Sequence, residues 1–347
     1  MGNTDVVKHM LTRSEINPNQ QNCAGLTPLF IACVSGHAEI VKLLLNDKRV
    51  NVNLLDDEVP TILHMACHHG HLEVVKLLLN DKRIGINKIE ASCGATAFHV
   101  ACGMGNADIV KLMVADKRVD ITKSDHRVGT TPFFLLCGNG QIELVKLLLN
   151  DNRIRINQTT HSGETPFYIA CQENHVQVVK LLLSDERVEV NRPENNGFTP
   201  FHVACREGYI EIVKLLVNNE RILVNTIELS LSATPFYNAC CFGHIDVVEC
   251  ILASGRNVDL KIKDRNGKTA LDISKSRSKQ TQKYDLESEK DLKNVKKNCV
   301  KIVELLEAFQ KNPNETRTKL RNKLGLIGKK ERIISSSSFF FFLLFFS

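Results

Sequence analysis

Seven of the chain's twelve cysteines stand in a column, Cys33, Cys67, Cys102, Cys137, Cys171, Cys205 and Cys240, each six residues after a threonine. Thiols at regular spacing could close disulfides or ligate zinc. One per structural unit argues against both. Stacked helices lie about 8–10 Å apart, a disulfide needs Cα atoms within about 7 Å, and four thiolates around one zinc sit closer still. The column is therefore expected to be small, buried, apolar and reduced. Cys241, beside Cys240, falls on the outer side of its helix and is the candidate for thiol reactivity. Cys67-His68-His69-Gly70-His71 has the residue types of a metal site, yet His71 shares its Gly-His position with His37 and His244 and recurs again at His175. His64, His99 and His202 likewise recur three residues after a threonine. Recurrence implies architecture, which leaves only His68 and His69 private to their segment, and these read as part of a protein-contact face. No Ser/His/Asp order, phosphate-cradling glycine loop or paired acids stand at meaningful spacing. The expectation is a chain without enzymatic activity, resident metal, cofactor or small-molecule substrate.

What must position these residues is a repeated phrase. A threonine opens it eight times, at Thr27, Thr61, Thr96, Thr131, Thr165, Thr199, Thr234 and Thr269, with spacings of 34 or 35 residues. Fourteen residues after each of the first seven stands a valine (Val41, Val75, Val110, Val145, Val179, Val213, Val248), so all length variation falls between that valine and the next threonine. A rigid packed half therefore alternates with a tolerant loop half. Thr-Pro can cap and begin a short helix, because proline's missing N–H would be unpaired there anyway. Gly36, Gly70, Gly105, Gly140, Gly208 and Gly243 supply a left-handed residue to end it. Glu39 to Leu45 then has the acid-first, i, i+3, i+4 pattern of a second helix. Asn46-Asp47-Lys48-Arg49 turns the chain, and the alternating Val50 to Asn53 reads as a short hairpin arm. Two helices of about 8 residues cannot bury enough surface alone, so neighbours must stack.

Length agrees, since 347 residues (39.0 kDa) exceed one ordinary core. The 43% apolar and 24% charged fractions are those of a folded chain. No apolar run reaches the ~18 residues of a membrane-spanning helix, and Met1 to Leu11 lacks the apolar core of a secretory signal. A cytoplasmic location is expected, with a nuclear one left open. The net charge of +6 divides into −2 over Met1 to Ser276 and +8 over Arg277 to Ser347, so a nucleic-acid reading would rest on the tail alone. No aromatic residues interleave those charges.

The phrase Gly-x-Thr-Pro-Phe-x-x-Ala-Cys-x-x-Gly-His-x-x-Val-Val-Lys-Leu-Leu-Leu resembles the ankyrin repeat, from about Asp5 to about Phe309. The resemblance implies an all-α repeat solenoid, a right-handed stack of about eight helix-turn-helix units joined by short β-hairpin loops. Residues 1–22 read as a partial repeat (second helix and loop only), 23–276 as the array, 277–296 as a charged insert that is flexible or loosely helical, 297–310 as the closing helix, and 311–347 as a disordered basic, then Ser/Phe/Leu, tail. Units here are one residue longer than the family's 33, through the Asn-Asp-Lys-Arg-type turn after the second helix, and sometimes one more at the hairpin tip. Repeat two has Pro60-Thr61 for Thr-Pro. Leu136 replaces the Ala of Ala32, Ala66, Ala101, Ala170, Ala204 and Ala239, where overpacking predicts a local shift in helix spacing.

The resemblance also implies that a partner protein binds the hairpin tips and the exposed end of each first helix. Carried onto this sequence, positions seven and eight after each threonine are the varied letters: His68 and His69, Met104 after Gly103, Asn139 after Gly138, Gln172 and Glu173, Arg206 and Glu207, Cys241 and Phe242, with Val34 and Ser35 at the start. The expected hot spot lies near Arg206 and Phe242. The expected role is a non-catalytic scaffold or adaptor. The alternative is an adaptor tethered to a membrane by Arg317, Lys319, Arg321, Lys323, Lys329, Lys330 and Arg332, with Phe339 to Phe346 entering the bilayer.

Overall fold

The computed structural model describes residues 3–54, 60–279 and 289–326. They form two compact units, Met1–Glu189 and Val190–Ser347. In the first, α2 (Pro28–Val34), α4 (Ile62–His68), α6 (Ala97–Met104), α8 (Pro132–Gly138) and α10 (Pro166–Gln172) stack as one layer. Against them lies a second layer, α1 (Thr4–Leu11), α3 (Ala38–Asn46), α5 (Leu72–Asn80), α7 (Ala107–Ala115), α9 (Ile142–Leu149) and α11 (Val176–Leu183). The second unit repeats the plan with α12 (Pro200–Glu207), α14 (Pro235–Cys241) and α16 (Ala270–Lys279) over α13 (Ile210–Val217), α15 (Ile245–Ser254) and α17 (Glu289–Lys311), followed by α18 (Pro313–Lys323).

The threonines do what their spacing predicts. Each Oγ1 accepts the N–H three residues on, as Thr27 does from Phe30 at 3.2 Å and Thr165 from Tyr168 at 3.0 Å, satisfying a donor otherwise left bare at the helix start. Most first helices end on a left-handed glycine, and in repeat five Asn174 takes that conformation with φ 59°, the one side chain that tolerates it well. The cysteine column is buried in full, and burial pushes the Cys33 and Cys67 thiols up to about 12. Leu136 is also fully buried in an unbroken α8.

The expected hairpin arms are not strands. Among the described residues only an isolated bridge, Ile89 with Thr96, has β pairing. The pairing is done by asparagine side chains instead. Asn19 donates to Arg49 O at 2.7 Å and accepts from Asn51 N at 2.7 Å, and Asn87 does the same with Arg118 O and Asp120 N. Asn157 (to Arg187 and Glu189), Asn191 (to Arg221 and Leu223) and Asn225 (to Asn257 and Asp259) continue the ladder. An amide inserted between two arms holds them a side chain apart, too far for a backbone ladder.

The Asn-Asp-Lys-Arg turn is a second inter-repeat device. Asp81 grips the Arg83 guanidinium at 2.5 Å, and that guanidinium donates back to Leu45 O at 2.7 Å and Val50 O at 3.1 Å. Arg49, Arg118, Arg153 and Arg187 are held by Asp47, Asp116, Asp151 and Asp185 in the same way. The guanidinium hydrogen bond keeps Asp47, Asp81, Asp116 and Asp151 below the ordinary carboxylate range. The extra residue per unit thus builds a clamp on the bare carbonyls that end the preceding second helix.

The C-terminal end departs most from expectation. Residues 289–296 of the expected insert are the first turns of the 23-residue α17, and Pro313–Lys323 of the expected disordered tail form α18. Leu292, Cys299, Ile302, Leu306 and Phe309 make one buried stripe on α17. The sequence shows that stripe too, but the charges between its members hide it. Arg317 donates to Leu252 O and Arg321 to Ala253 O at 2.9 Å, while Lys323 pairs with Glu249. Three of the cations offered above for a membrane tether are therefore occupied on the end of α15, where cations suit the helix dipole. Residues 55–59, residues 280–288 of the insert and the tail from 327, with Lys329, Lys330, Arg332 and Phe339 to Phe346, lie outside the described residues. No described helix is long and apolar enough to cross a membrane.

Candidate protein-binding surface

The end of a first helix is set by three constraints in sequence: the threonine cap fixes its start, the alanine-cysteine pair its buried side, and the left-handed residue its stop. Positions seven and eight are what remains outside. The eighth is exposed in the first seven repeats, at Ser35, His69, Met104, Asn139, Glu173, Glu207 and Phe242, and in the last it is the buried Arg277, which donates to Cys241 O at 3.0 Å; the seventh ranges from exposed (His68, Arg206) to half-buried (Gln172, Cys241).

In the first unit these residues form a mixed row. The rings of His68 and His69 meet edge to face at 4.9 Å, and His69 stacks on His71 at 5.8 Å. His71 is committed elsewhere, its Nε2 donating to Val34 O at 2.9 Å. No group of three metal-ligating side chains exists among the described residues. Met104 is the most exposed apolar residue of the row at 52%. Asn139 is partly architectural, donating to Gly103 O at 3.2 Å.

In the second unit the row acquires a wall. Arg206 pairs with Glu207 at 2.8 Å and lies over the Phe198 ring at 5.7 Å, which holds the guanidinium in place. Phe242 stacks on His244, ring centroids 6.4 Å apart, and His244 Nε2 donates to Arg206 O at 2.8 Å. The early turns of α17 pack so closely here that a Cβ on Gly243 would lie 3.1 Å from Val295 O. The result is a cleft of about 410 Å³, lined by Arg206, Glu207 and Phe242 on one side and Asp291, Asn294 and Asn298 on the other. The sequence reading named the first three and missed the second three: Asp291 and Asn294 fall in 277–296, which reads as a charged insert, and Asn298 falls in the closing helix 297–310 with nothing to mark it as facing Phe242. The signal that finds them is the Leu292–Cys299–Leu306 heptad.

Deeper groups are structural. Thr199 N donates to His202 Nδ1 at 3.1 Å and His202 Nε2 donates to Ala233 O at 3.2 Å. Burial drives its pKa down to about 4, and both ring nitrogens are used by the neutral form. His64 and His99 are lowered by burial in the same way.

A family model described as ankyrin repeats (3 copies) matches residues 1–90, 82–160 and 133–228. Among solved structures, the chain is similar to the ankyrin repeat domain of Bcl-3, described as a unique member of the IkappaB protein family. That match has a TM-score of 0.55 at 24% identity, covering 61% of this chain and 93% of that domain, and it speaks to fold. No curated protein matches the chain.

Proposed function

The chain belongs to the ankyrin repeat family, and on that premise we propose that it is a non-catalytic interaction protein, an adaptor or scaffold whose partner protein is held on the helix-end row. Ankyrin repeats in general mediate protein–protein interaction. The observation that carries the reading is the contrast within the first seven repeats: the eighth position after the threonine is exposed in each and takes the side chains of Ser35, His69, Met104, Asn139, Glu173, Glu207 and Phe242, while the alanine and cysteine positions just before the helix end are buried and nearly constant. Packing fixes the second set and leaves the first free to encode a partner. The C-terminal cleft is the best-formed part of that surface. Phe242 offers an aromatic face, Arg206 and Glu207 a positioned charge pair, and Asn294 and Asn298 amide groups one helical turn apart. This chemistry suits an extended segment of a partner with one apolar or aromatic anchor and free backbone polar groups.

The test is crosslinking capture with full-length protein and with Arg206→Ala/Phe242→Ala, compared by quantitative mass spectrometry. A partner retained by the native chain should be lost at least tenfold by the double variant, with both proteins melting together. Equal retention would place the binding surface elsewhere.

A further inference from the structure

One arm of the second unit turns its apolar side chains outward. Along 222–231 burial alternates, so that Ile222, Val224 and Glu228 are buried while Leu223, Ile227, Leu229 and Leu231 are exposed. Leu229, at 61%, and Leu223, at 57%, are the two most exposed large apolar residues among those described. Other repeats hold Gly85, Asp120, Arg155, Glu189 and Asp259 where Leu223 stands, and Ala91, His126, His161, Asn195 and Arg265 where Leu229 stands. The loop is tied down. Glu228 turns inward and accepts from Leu231 N and Ala233 N, each at 2.9 Å, while Leu229 N donates to Asn196 O at 2.8 Å. An aliphatic patch held outward in one conformation is a surface for contact.

The chemistry of that contact follows from the next arm. Asn225 bridges to Asn257 O and Asp259 N, Arg265 N donates to Leu231 O at 2.8 Å, and the Arg265 guanidinium donates to Leu229 O. The two arms therefore run in register, with Lys263 at the place of Ile227 and Arg265 at the place of Leu229. Charges on the second arm are sorted by sign. Lys261, Lys263 and Arg265 are exposed, whereas Asp264 is buried and accepts from Asn266 N, Lys268 N and Tyr237 Oη at 2.7–2.9 Å. Asp259 is the exposed carboxylate of the arm, and Lys261 N donates to it at 2.8 Å. A cationic row beside an aliphatic one disfavours a second copy of itself, since like charges would meet. Neither row holds an aromatic residue or methionine, the side chains enriched at protein interfaces, where lysine is depleted and leucine seldom a hot spot. Aliphatic side chains flanked by ammonium groups match a bilayer surface, where hydrocarbon takes the first and anionic headgroups the second. We propose that 222–231 and 259–266 dock together on an anionic lipid surface, with Leu223, Ile227, Leu229 and Leu231 entering the headgroup boundary. The contact uses neither the C-terminal tail nor any residue of the helix-end row, so lipid and a protein partner engage different side chains.

The probe is full-length protein mixed with phosphatidylcholine vesicles, with or without phosphatidylserine at about one lipid in three. Flotation should recover the protein at least tenfold better with the anionic vesicles, and amide exchange at 227–231 should slow in the floated complex. Leu229→Ser/Leu231→Ser and Lys261→Gln/Lys263→Gln should each reduce recovery at least tenfold while melting as the native chain does, because exposed side chains add little to stability. Absence of recovery with either vesicle would overturn the proposal. Recovery indifferent to both double variants would overturn it by assigning lipid contact elsewhere on the chain, and loss with the lysine variant alone would overturn the insertion of the leucines. Slowed exchange at 227–231 with a soluble acidic, leucine-rich peptide and none with vesicles would make the occupant a protein. A concentration-dependent dimer that Leu229→Ser/Leu231→Ser dissolves would overturn it too, by making the arm a self-interface.

Discussion

Asp151 holds the guanidinium of Arg153 at 2.7 Å while that same group donates across the repeat boundary to Val114 O at 2.9 Å and Val119 O at 3.1 Å. The ion pair is local, but its product is not, since it aims an arginine at carbonyls that no helix hydrogen bond reaches. An Arg153→Ala change should cost about 1–2 kcal/mol, the range for charge-assisted bonds discounted for partial exposure. Arg153→Lys should recover little, because an ammonium cannot serve two separated carbonyls and the carboxylate with one fixed fork. Urea melts of the three proteins check this; full recovery by lysine would reduce the clamp to simple charge.

The asparagine ladder has one missing rung. Thr122 stands where Asn53, Asn87 and Asn157 stand in other repeats, and its Oγ1 turns back to Asp120 at 2.8 Å instead of reaching the next arm. Thr122→Asn should therefore stabilise the protein by about 0.5–1 kcal/mol, through new bonds to the arm at Arg153 and Arg155. A lower denaturation midpoint would mean that the arms diverge at this boundary.

How far the sequence could be read follows from the range of each signal. Thr165, Ala170 and Cys171 act within one repeat or on the adjacent copy of themselves, so periodicity reveals them. Asp81 and Arg83 are just as periodic, but they stand where the family pattern has nothing, and a turn that looks like an insertion hides a bond to a carbonyl 38 residues away. Asn294 and Asn298 were illegible for a different reason. The first half of α17 occurs once, interrupts the repeat spacing and is rich in charge, so only its sparse apolar stripe marks it as packed. Arg317 and Arg321 looked like free cations because nothing local pairs them; their acceptors are on α15.

His202 makes stability depend on pH. Its ordinary value is 6.5 and its folded value about 4, so between those limits the unfolded chain binds the proton and the folded chain does not. Stability is then present above pH 6.5 and lost as pH falls toward 4, by on the order of 3 kcal/mol for this group. His64 and His99 act in the same direction. Phe30 and Phe134 occupy the equivalent place in other repeats, so His202→Phe should fold and flatten the loss between pH 6.5 and 4. Thermal melts across that range, parallel for native and variant, would contradict the assignment.

Amide exchange distinguishes a stack held by neighbours from one held by its ends. A unit flanked on both sides can open only by breaking two interfaces, so the first helices around Cys137 and Cys171 should exchange slowest. The N-terminal edge lacks one of those interfaces: α1 buries no residue, and Ile31 on α2 is largely bare. Its amides should exchange within the first time points. The C-terminal edge should behave oppositely. From Leu292 onward α17 buries Cys299, Ile302 and Leu306 fully or nearly so, and α18 closes over α15 with the bonds of Arg317 and Arg321. Protection should therefore begin near Leu292 and persist to Leu320, and Leu306→Ala should abolish it along both helices together. Fast exchange through 292–299 in the native protein would detach the wall of the Arg206–Phe242 cleft, and the binding surface would then end at Phe242.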